Sequence, residues 1–255
     1  MALYENERVS VIIPVFKVER FIEQTILSVV NQNYPDIEIV LVDDCSPDSS
    51  AAIIKNMQEK YTNIVYYKLD KNSGAAVARN KALDIATGRY VAFLDGDDMW
   101  AEGKLEKQMA YMKKHNAAIS CTAMDTVDEK GQALGSVRSV REKITYKFLL
   151  HNTMIATSTT IIDRNQTGDF QMPLRRGGQD YATWLMLMRN GIVCWGLDEV
   201  LAHYRVVSGS LSSNKWKSIR QVWEIQTVNE GINKMSATIN VCFFVANGFI
   251  KHFIK

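Results

Sequence analysis

Two carboxylates flanking a glycine, Asp95-Gly96-Asp97, followed at once by Asp98, are the densest chemical signal in the sequence. Three carboxylates in four residues repel one another and are costly to hold together unless something positive binds. Oxygen ligands in this pattern suit a hard divalent cation such as Mn²⁺ or Mg²⁺, and the glycine permits a tight turn and close approach of a ligand. The same residues also suit an acidic βα loop with helix-capping duties. The apolar run 90–94 just before them favours the functional reading. A second acidic pair, Asp43-Asp44, ends another apolar run. The stretch 72–80, Asn-Ser-Gly-Ala-Ala-Val-Ala-Arg-Asn, opens a helix with small residues, a setting that favours an anion, and Arg79 lies inside it. It matches neither GxGxxG nor GxxxxGK[ST], which argues against a Rossmann cofactor and a P-loop nucleotide. His115, His151, His203 and His252 form no HxxxH or HExxH pair and no GxSxG occurs, so zinc hydrolysis and serine-nucleophile chemistry have little support.

These residues need elements to position them. Residues 9–15, 37–42, 64–69 and 90–94 read as strands, and helical spacing fills the intervals: 18–30, a helix to about Tyr61 with Asp48 as N-cap, 73–86 closed by Gly88, and 102–115. Such alternation implies βαβ units, hence an α/β fold with a mainly parallel central sheet and helices on both faces. Sheets of this kind bind ligands beyond the carboxyl ends of their strands. After that the spacing predicts a strand at 117–123, a turn at 128–131, a short helix at 145–150, a strand at 157–162, a long loop over 164–179 and a helix over 180–189. Short strands follow at 192–195 and 200–205, and a helical extension begins past Asn214.

With 255 residues, 47% hydrophobic and 23% charged, the chain can bury a substantial core as one large or two small domains. The net charge of +2 gives no reason to invoke nucleic acid. That total is uneven: residues 211–255 carry six basic side chains against two acidic ones, leaving an acidic excess of two before them. Basic residues mixed with Trp216, Trp223, Phe243, Phe244 and Phe249 fit peripheral attachment to an anionic membrane surface, and equally a helix packed on the domain or in a homodimer. Cys45, Cys121, Cys194 and Cys242 are widely spaced and read as reduced thiols of a cytoplasmic protein. The polar start argues against a signal peptide, and no apolar stretch is long enough to span a bilayer.

Together the segments 9–15, 39–48 (Ile-Val-Leu-Val-Asp-Asp-Cys-Ser-Pro-Asp), 72–80, 88–100 (Gly-Arg-Tyr-Val-Ala-Phe-Leu-Asp-Gly-Asp-Asp-Met-Trp) and the region after Gln179-Asp180 resemble, in order and spacing, the family 2 glycosyltransferases of GT-A fold. The later pieces around 172–180, 204–205 and 210–216 resemble the bacterial teichuronic-acid and capsule-type subgroup. The resemblance covers about residues 8–215 and implies a Rossmann-like GT-A catalytic domain over 1–214. Its 1–115 half would bind nucleotide and its 116–214 half acceptor, with 215–255 as a C-terminal helical extension. It implies inverting, metal-dependent, non-processive transfer from a UDP-sugar to a glycan or lipid-linked acceptor, with Mn²⁺ or Mg²⁺. By this resemblance Asp44 contacts the uracil, Pro14 and Val15 line the base pocket, and Arg79 lies near the base or the diphosphate. Asp95 and Asp97 match the DXD motif, with Asp97 as metal ligand and Asp95 on ribose or metal. Asp98 and Trp100 support donor and acceptor, and Asp180 matches the catalytic base.

Two departures bear on these roles. Gln179 stands where relatives have an acidic residue before the base, and Val207 where many carry a histidine after the Tyr204-Arg205 pair. Arg205, Ser210 or Lys215 would then meet the diphosphate as charge-assisted donors, and His203 would point elsewhere. The same departures motivate a competing reading, a catalytically impaired sugar-nucleotide-binding or assembly module. A nucleotidyltransferase would need a Gly/Arg/Lys-rich loop after the first strand, which residues 16–20 do not supply.

Overall fold

The computed structural model describes residues 4–207 and 215–253. Ser210 and the rest of 208–214, with the proposed boundary at 214, lie outside the described residues. Strands β1 (Val9–Val15), β2 (Ile37–Asp43), β3 (Ile64–Lys68) and β4 (Tyr90–Phe93) alternate with helices α1 (Ile22–Val30), α2 (Ser50–Lys60) and α3 (Ala75–Ile85). A two-residue strand β5 (Met99–Trp100) leads into α4 (Lys104–His115). Then come β6 (Ile119–Val127), β7 (Ala133–Arg138), β8 (Lys143–Ile144), α5 (Tyr146–Leu150), β9 (Ile161–Asp163), α6 (Arg164–Thr167), α7 (Gln179–Met188) and β10 (Cys194–Arg205). Helix α8 (Lys215–Glu224), a π-helical turn at Ile225–Asn229 and α9 (Lys234–Phe253) complete the described chain.

One sheet runs β3-β2-β1-β4-β9-β6-β10-β5. The pairs β3–β2, β2–β1, β1–β4 and β6–β10 are parallel, whereas β9 and β5 run antiparallel to their neighbours. Strand alternation sends successive residues into two cores. Ile12, Val40, Val42, Val91 and Phe93 meet Ala78 and Ala82 of α3, Leu149 of α5 and Trp184 and Leu185 of α7. Val11, Ile13, Ile39, Leu41, Ala92 and Leu94 meet Ile22 and Ile26 of α1, Ile54 of α2 and Leu105 and Met109 of α4. Helices therefore cover both faces. The chain leaves β1 on one side for β2 and returns on the other with β4, so the crevice past the carboxyl ends of β1 and β4 is a topological switch point.

Four sequence expectations need correction. Residues 157–162 are not one strand. Thr157–Thr159 form a 3₁₀ turn, because the hydroxyls of Thr159 and Thr160 both donate to the Ala156 carbonyl at 2.8 Å, leaving only Ile161–Asp163 extended. The segments at 192–195 and 200–205 are one strand, β10, whose register on β6 shifts between Leu197 and Ala202. Helix α2 starts two residues past Asp48, whose Oδ1 accepts from the Ser50 amide at 3.2 Å. The 164–179 loop contains the single turn α6, capped by Asp163 accepting from the Asn165 amide.

All four cysteines are free thiols. The C-terminal segment packs on the domain: the Gln226 amide nitrogen donates to the Leu150 carbonyl at 2.7 Å and to the Tyr181 hydroxyl at 3.2 Å, and Asn240 donates to the Gln226 oxygen. No helix among the described residues is long and apolar enough to cross a membrane.

Lys104, at the first turn of α4, is fully buried. Its Nζ donates to Gln108 Oε1 at 2.7 Å and sits 4.1 Å from the Trp100 ring centroid. Burial pulls its pKa down to about 7. The unfolded chain keeps this proton up to about pH 10.4, so the folded state binds fewer protons above pH 7 and stability rises with pH across that window. Relative to Lys104→Met, the wild type should therefore gain about 2 to 3 kcal/mol between pH 7 and 9 in denaturant titrations, one proton being linked over about two pH units. A constant difference would show that Lys104 holds its proton throughout.

Candidate active site

The carboxyl ends of β1, β2 and β4 build one wall. Lys17 and Cys45, just past β1 and β2, take left-handed backbone conformations with φ of 56° and 60°. Such conformations are held only by their surroundings and gather at functional turns. Asp44 is buried, and its carboxylate accepts from the Ser73 amide at 2.6 Å and the Gly74 amide at 2.8 Å. It thus ties the end of β2 to the start of α3, and its remaining lone pairs are what it has for a ligand. Asp43 has a structural task, accepting from the Ser46 amide at 2.7 Å and the Tyr66 hydroxyl at 2.8 Å. Pro14 and Val15 end β1 beside Asp44, with the Asp44 amide donating to the Val15 carbonyl.

Arg79 is 5% exposed. Its Nη2 donates to Asp95, while Nε and Nη1 are buried with no hydrogen-bond partner among the described residues. Buried guanidinium donors are costly to leave unpaired, so this arrangement is suited to an acceptor-rich ligand.

The loop after β4 carries the three aspartates. Gly96 lets the loop pack closely there: a Cβ would stand 3.0 Å from the Pro14 carbonyl oxygen and 3.3 Å from Val18 Cγ2, a tight fit. Burial, and then the neighbouring Asp95 charge, push the Asp97 carboxyl up to about 6. Burial, and then both neighbouring aspartates, likewise push the Asp98 carboxyl well up. Its oxygens accept from the Ser158 hydroxyl at 2.5 Å and the Arg205 amide at 3.0 Å. Trp100 supports this loop from within the core: its indole N–H donates to the Ser158 carbonyl at 2.8 Å, and the ring is 4% exposed.

Arg205 corrects a sequence expectation. It is 1% exposed, and its donors are committed within the protein. Nε donates to the Asp97 carbonyl at 2.8 Å, Nη1 to the Asp128 and Glu129 carbonyls at 3.3 and 2.9 Å, and Nη2 to Gln24 Oε1 at 2.9 Å. Four of its five N–H groups are thus spent on the aspartate loop and its neighbours, which makes it a clamp within the protein. His203 points elsewhere, as expected, pairing with Asp125 at 2.6 Å.

The opposite wall comes from the 3₁₀ turn, α7 and α8. Gly178 has φ +66°, and a Cβ there would stand 2.8 Å from Ile225 Cδ1, so the turn into α7 needs glycine. Asp180 in the first turn of α7 accepts from the Thr157 hydroxyl at 3.2 Å. A cavity of about 790 Å³ joins the walls, lined by Asp95 and Asp98 on one side and Gln179 and Asp180 on the other. Ser158, Thr157 and Arg138 also line it and were not found from the sequence. The hydroxyl run at 157–160, three threonines and Ser158, carried a signal, read as strand because β-branched threonine favours strands.

No group of three or more His, Cys, Asp and Glu side chains able to hold a metal occurs among the described residues. Mg²⁺ and Mn²⁺ are nevertheless commonly held by one or two carboxylates plus substrate phosphates. The raised Asp97 carboxyl beside Asp95 is such a pair, its repulsion relieved by a cation. The residues fit that role.

A doubly covered α/β sheet with an acidic loop at its switch point and a carboxylate facing it defines a class of transferase. The model described as Glycosyl transferase family 2 matches residues 10–172, and the chain belongs to that family and is a glycosyltransferase. It is 44% identical over 230 residues to TuaG of Bacillus subtilis (strain 168), covering 90% of this chain and 91% of that one, whose name places it as a glycosyltransferase of teichuronic acid biosynthesis. It is 36% identical over 247 residues to WfaP of Escherichia coli, covering 96% of each, named as a UDP-Glc:alpha-D-GlcNAc-diphosphoundecaprenol beta-1,3-glucosyltransferase. Residues 1–349 of S. aureus TarS, solved in complex with UDP-GlcNAc, superpose with a TM-score of 0.72 at 21% identity, covering 93% of this chain and 71% of that one. The fold is accordingly the GT-A fold.

Proposed function

We propose that this glycosyltransferase moves one sugar from a UDP-sugar to a lipid-linked glycan acceptor in bacterial cell-surface polysaccharide synthesis, inverting the anomeric centre in a single, non-processive, metal-dependent displacement. The observation that carries this reading is the shared cavity, with Asp95 and Asp98 on the donor wall and Asp180 on the other. The relatives named for teichuronic acid and for a diphosphoundecaprenol acceptor support the acceptor class.

In this reading Pro14, Val15 and Asp44 receive the uracil, and Arg79 turns its unpartnered guanidinium nitrogens to the nucleotide. Asp97, with Asp95, would hold Mn²⁺ or Mg²⁺, which supplies positive charge to the diphosphate as its bond to the sugar breaks. Asp98 and Arg205 keep that loop in place. Asp180 takes the proton of the acceptor hydroxyl as it attacks, and Gln179 beside it adds no second negative charge. Residues 1–115 then form the donor half and 116–214 the acceptor half. The extension carries exposed Met235, Ile239 and Phe243 along α9, which supports a peripheral position at the inner face of the cell membrane.

Screening UDP-sugars for metal-dependent thermal stabilisation identifies the donor, since a ligand bound only to the folded state raises its melting temperature. UDP release upon addition of a lipid-linked acceptor then tests transfer. Asp97→Ala should lose both the metal-dependent part of the stabilisation and the transfer. Full transfer by that variant in the presence of a chelator would remove the metal from the reading.

A further inference from the structure

We infer that Thr157 and Ser158 are positioning residues, a bridge of two hydroxyls that sets the proposed base Asp180 against the aspartate loop after β4. This rests on the proposed reading of Asp180 as base and of Asp95 and Asp97 as metal holders. The Thr157 hydroxyl donates to Asp180 Oδ2 at 3.2 Å. Ser158 turns the other way: its hydroxyl donates to Asp98 Oδ2 at 2.5 Å and accepts from the Asp95 amide at 3.1 Å. The Asp98 amide donates to the Asp95 carbonyl at 3.0 Å, so one serine oxygen holds both ends of a closed turn. Two neighbours in sequence thus touch both walls of the cavity that they line.

The 3₁₀ turn makes this possible. In a strand, adjacent side chains leave on opposite faces, and one of the two hydroxyls would be turned from the cavity. With about three residues per turn, adjacent side chains diverge by about 120°, and both can reach the same space. The turn is also held from behind. The carbonyls of Ser158, Thr159 and Thr160 accept in succession from the Trp100 indole at 2.8 Å, the Gln108 side chain at 3.0 Å and the Phe93 amide at 3.1 Å. Those donors belong to β5, α4 and β4. Lys104 Nζ holds the Gln108 oxygen, which leaves the Gln108 nitrogen for Thr159. A backbone fixed by three elements is a rigid mount for the two hydroxyls. Thr157 is the one hydrogen-bond donor to the Asp180 carboxylate among the described residues. It holds Oδ2 and leaves Oδ1 to meet an acceptor hydroxyl. Misplacing a reacting group by about 1 Å can cost about a hundredfold in rate, so a mount of this kind matters to the reaction.

The test uses the full-length protein, with UDP and Mn²⁺ as calorimetric probes and single-turnover transfer from the UDP-sugar that the thermal screen selects. Thr157→Val keeps the shape and removes the donor. It should lower transfer about tenfold or more while the affinity for UDP and Mn²⁺ stays that of the wild type. Thr157→Ser, which keeps the hydroxyl, should restore most of the rate. Ser158→Ala should weaken Mn²⁺-dependent UDP binding about tenfold as well as transfer. Ser158→Cys, whose thiol is a weaker donor, should fall between it and the wild type. A purely structural role would lower the melting temperature without dividing the two hydroxyls in this way. The decisive measurement is a double-mutant cycle. Placed on Asp180→Asn, Thr157→Val should change the residual rate by less than about twofold, because its effect passes through the carboxylate. The same factor in both backgrounds would overturn the inference. So would a wild-type rate in Thr157→Val, or wild-type UDP affinity in Ser158→Ala. Full transfer by Asp180→Asn would instead remove the base reading, whatever the Thr157 variants do.

Discussion

Asp180→Asn should lower the rate of sugar transfer about a thousandfold while leaving UDP binding in place, the range that removal of a positioned general base commonly costs. The substitution is close to isosteric. The asparagine oxygen can still accept from the Thr157 hydroxyl, which Asp180 meets at 3.2 Å, so the start of α7 keeps its geometry. What disappears is the group able to take a proton, and with it the charge that faces Arg138. Asp180 belongs to the wall away from Asp44, Arg79 and Asp97, so donor affinity should be untouched. Calorimetry with UDP and Mn²⁺, alongside single-turnover transfer, separates the two quantities. Full transfer by the variant would remove Asp180 as the base. In the wild type, the product's anomeric configuration, read by NMR, should be opposite to that of the donor; retention would require a different mechanism.

The second large effect is expected at Arg205, and it is one of stability as well as activity. Arg205→Met should cost about 3–5 kcal/mol in denaturant unfolding, the usual range for removing one member of a buried charged network. The cost comes from what is left behind. The carbonyls of Asp97, Asp128 and Glu129 and the Gln24 side chain lose their donor together. Arg205 also opposes the rise of the Asp97 and Asp98 carboxyl pKa values, so its loss pushes both higher. Metal-dependent UDP binding should weaken more than the loss of stability alone accounts for. Arg205→Lys should rescue little, since three donors on a flexible stem cannot reproduce a fork that bonds in four directions. A variant within 1 kcal/mol of wild type, about the size of an exposed ion pair, would show that the clamp is dispensable.

The donor side of the site was largely legible because its signals are local. Apolar runs of strand length end in Asp43-Asp44 and Asp95-Gly96-Asp97, and the structure places both at the carboxyl edge of parallel strands. The acceptor side was less legible because its contacts are long-range or made to backbone. Arg205 binds carbonyl oxygens, which every residue has, so no partner type in the sequence marks its role. Strand β5 is two residues long, too short for any periodicity. The threonines at 157–160 have strand-forming side chains whose hydroxyls favour a turn, and that competition is decided only by the Ala156 carbonyl nearby. Trp100, implied by resemblance to support donor and acceptor, turns its ring into the core.

The docking of the C-terminal segment has a consequence for the order in which the protein is completed during synthesis. The donor wall draws on residues before 100, with Ser158 as its later support. The helix that carries Asp180 is finished only by Val222, Ile225 and Val241, which share its core, and by Gln226, which bonds Tyr181. A ribosome delivers those residues after the donor wall, and domains generally fold from the N-terminus as they emerge. The nascent chain therefore acquires the aspartate loops at the ends of β2 and β4 before the helix that carries Asp180 is packed in place. A shortened chain that ends before α8 loses packing under the acceptor side first.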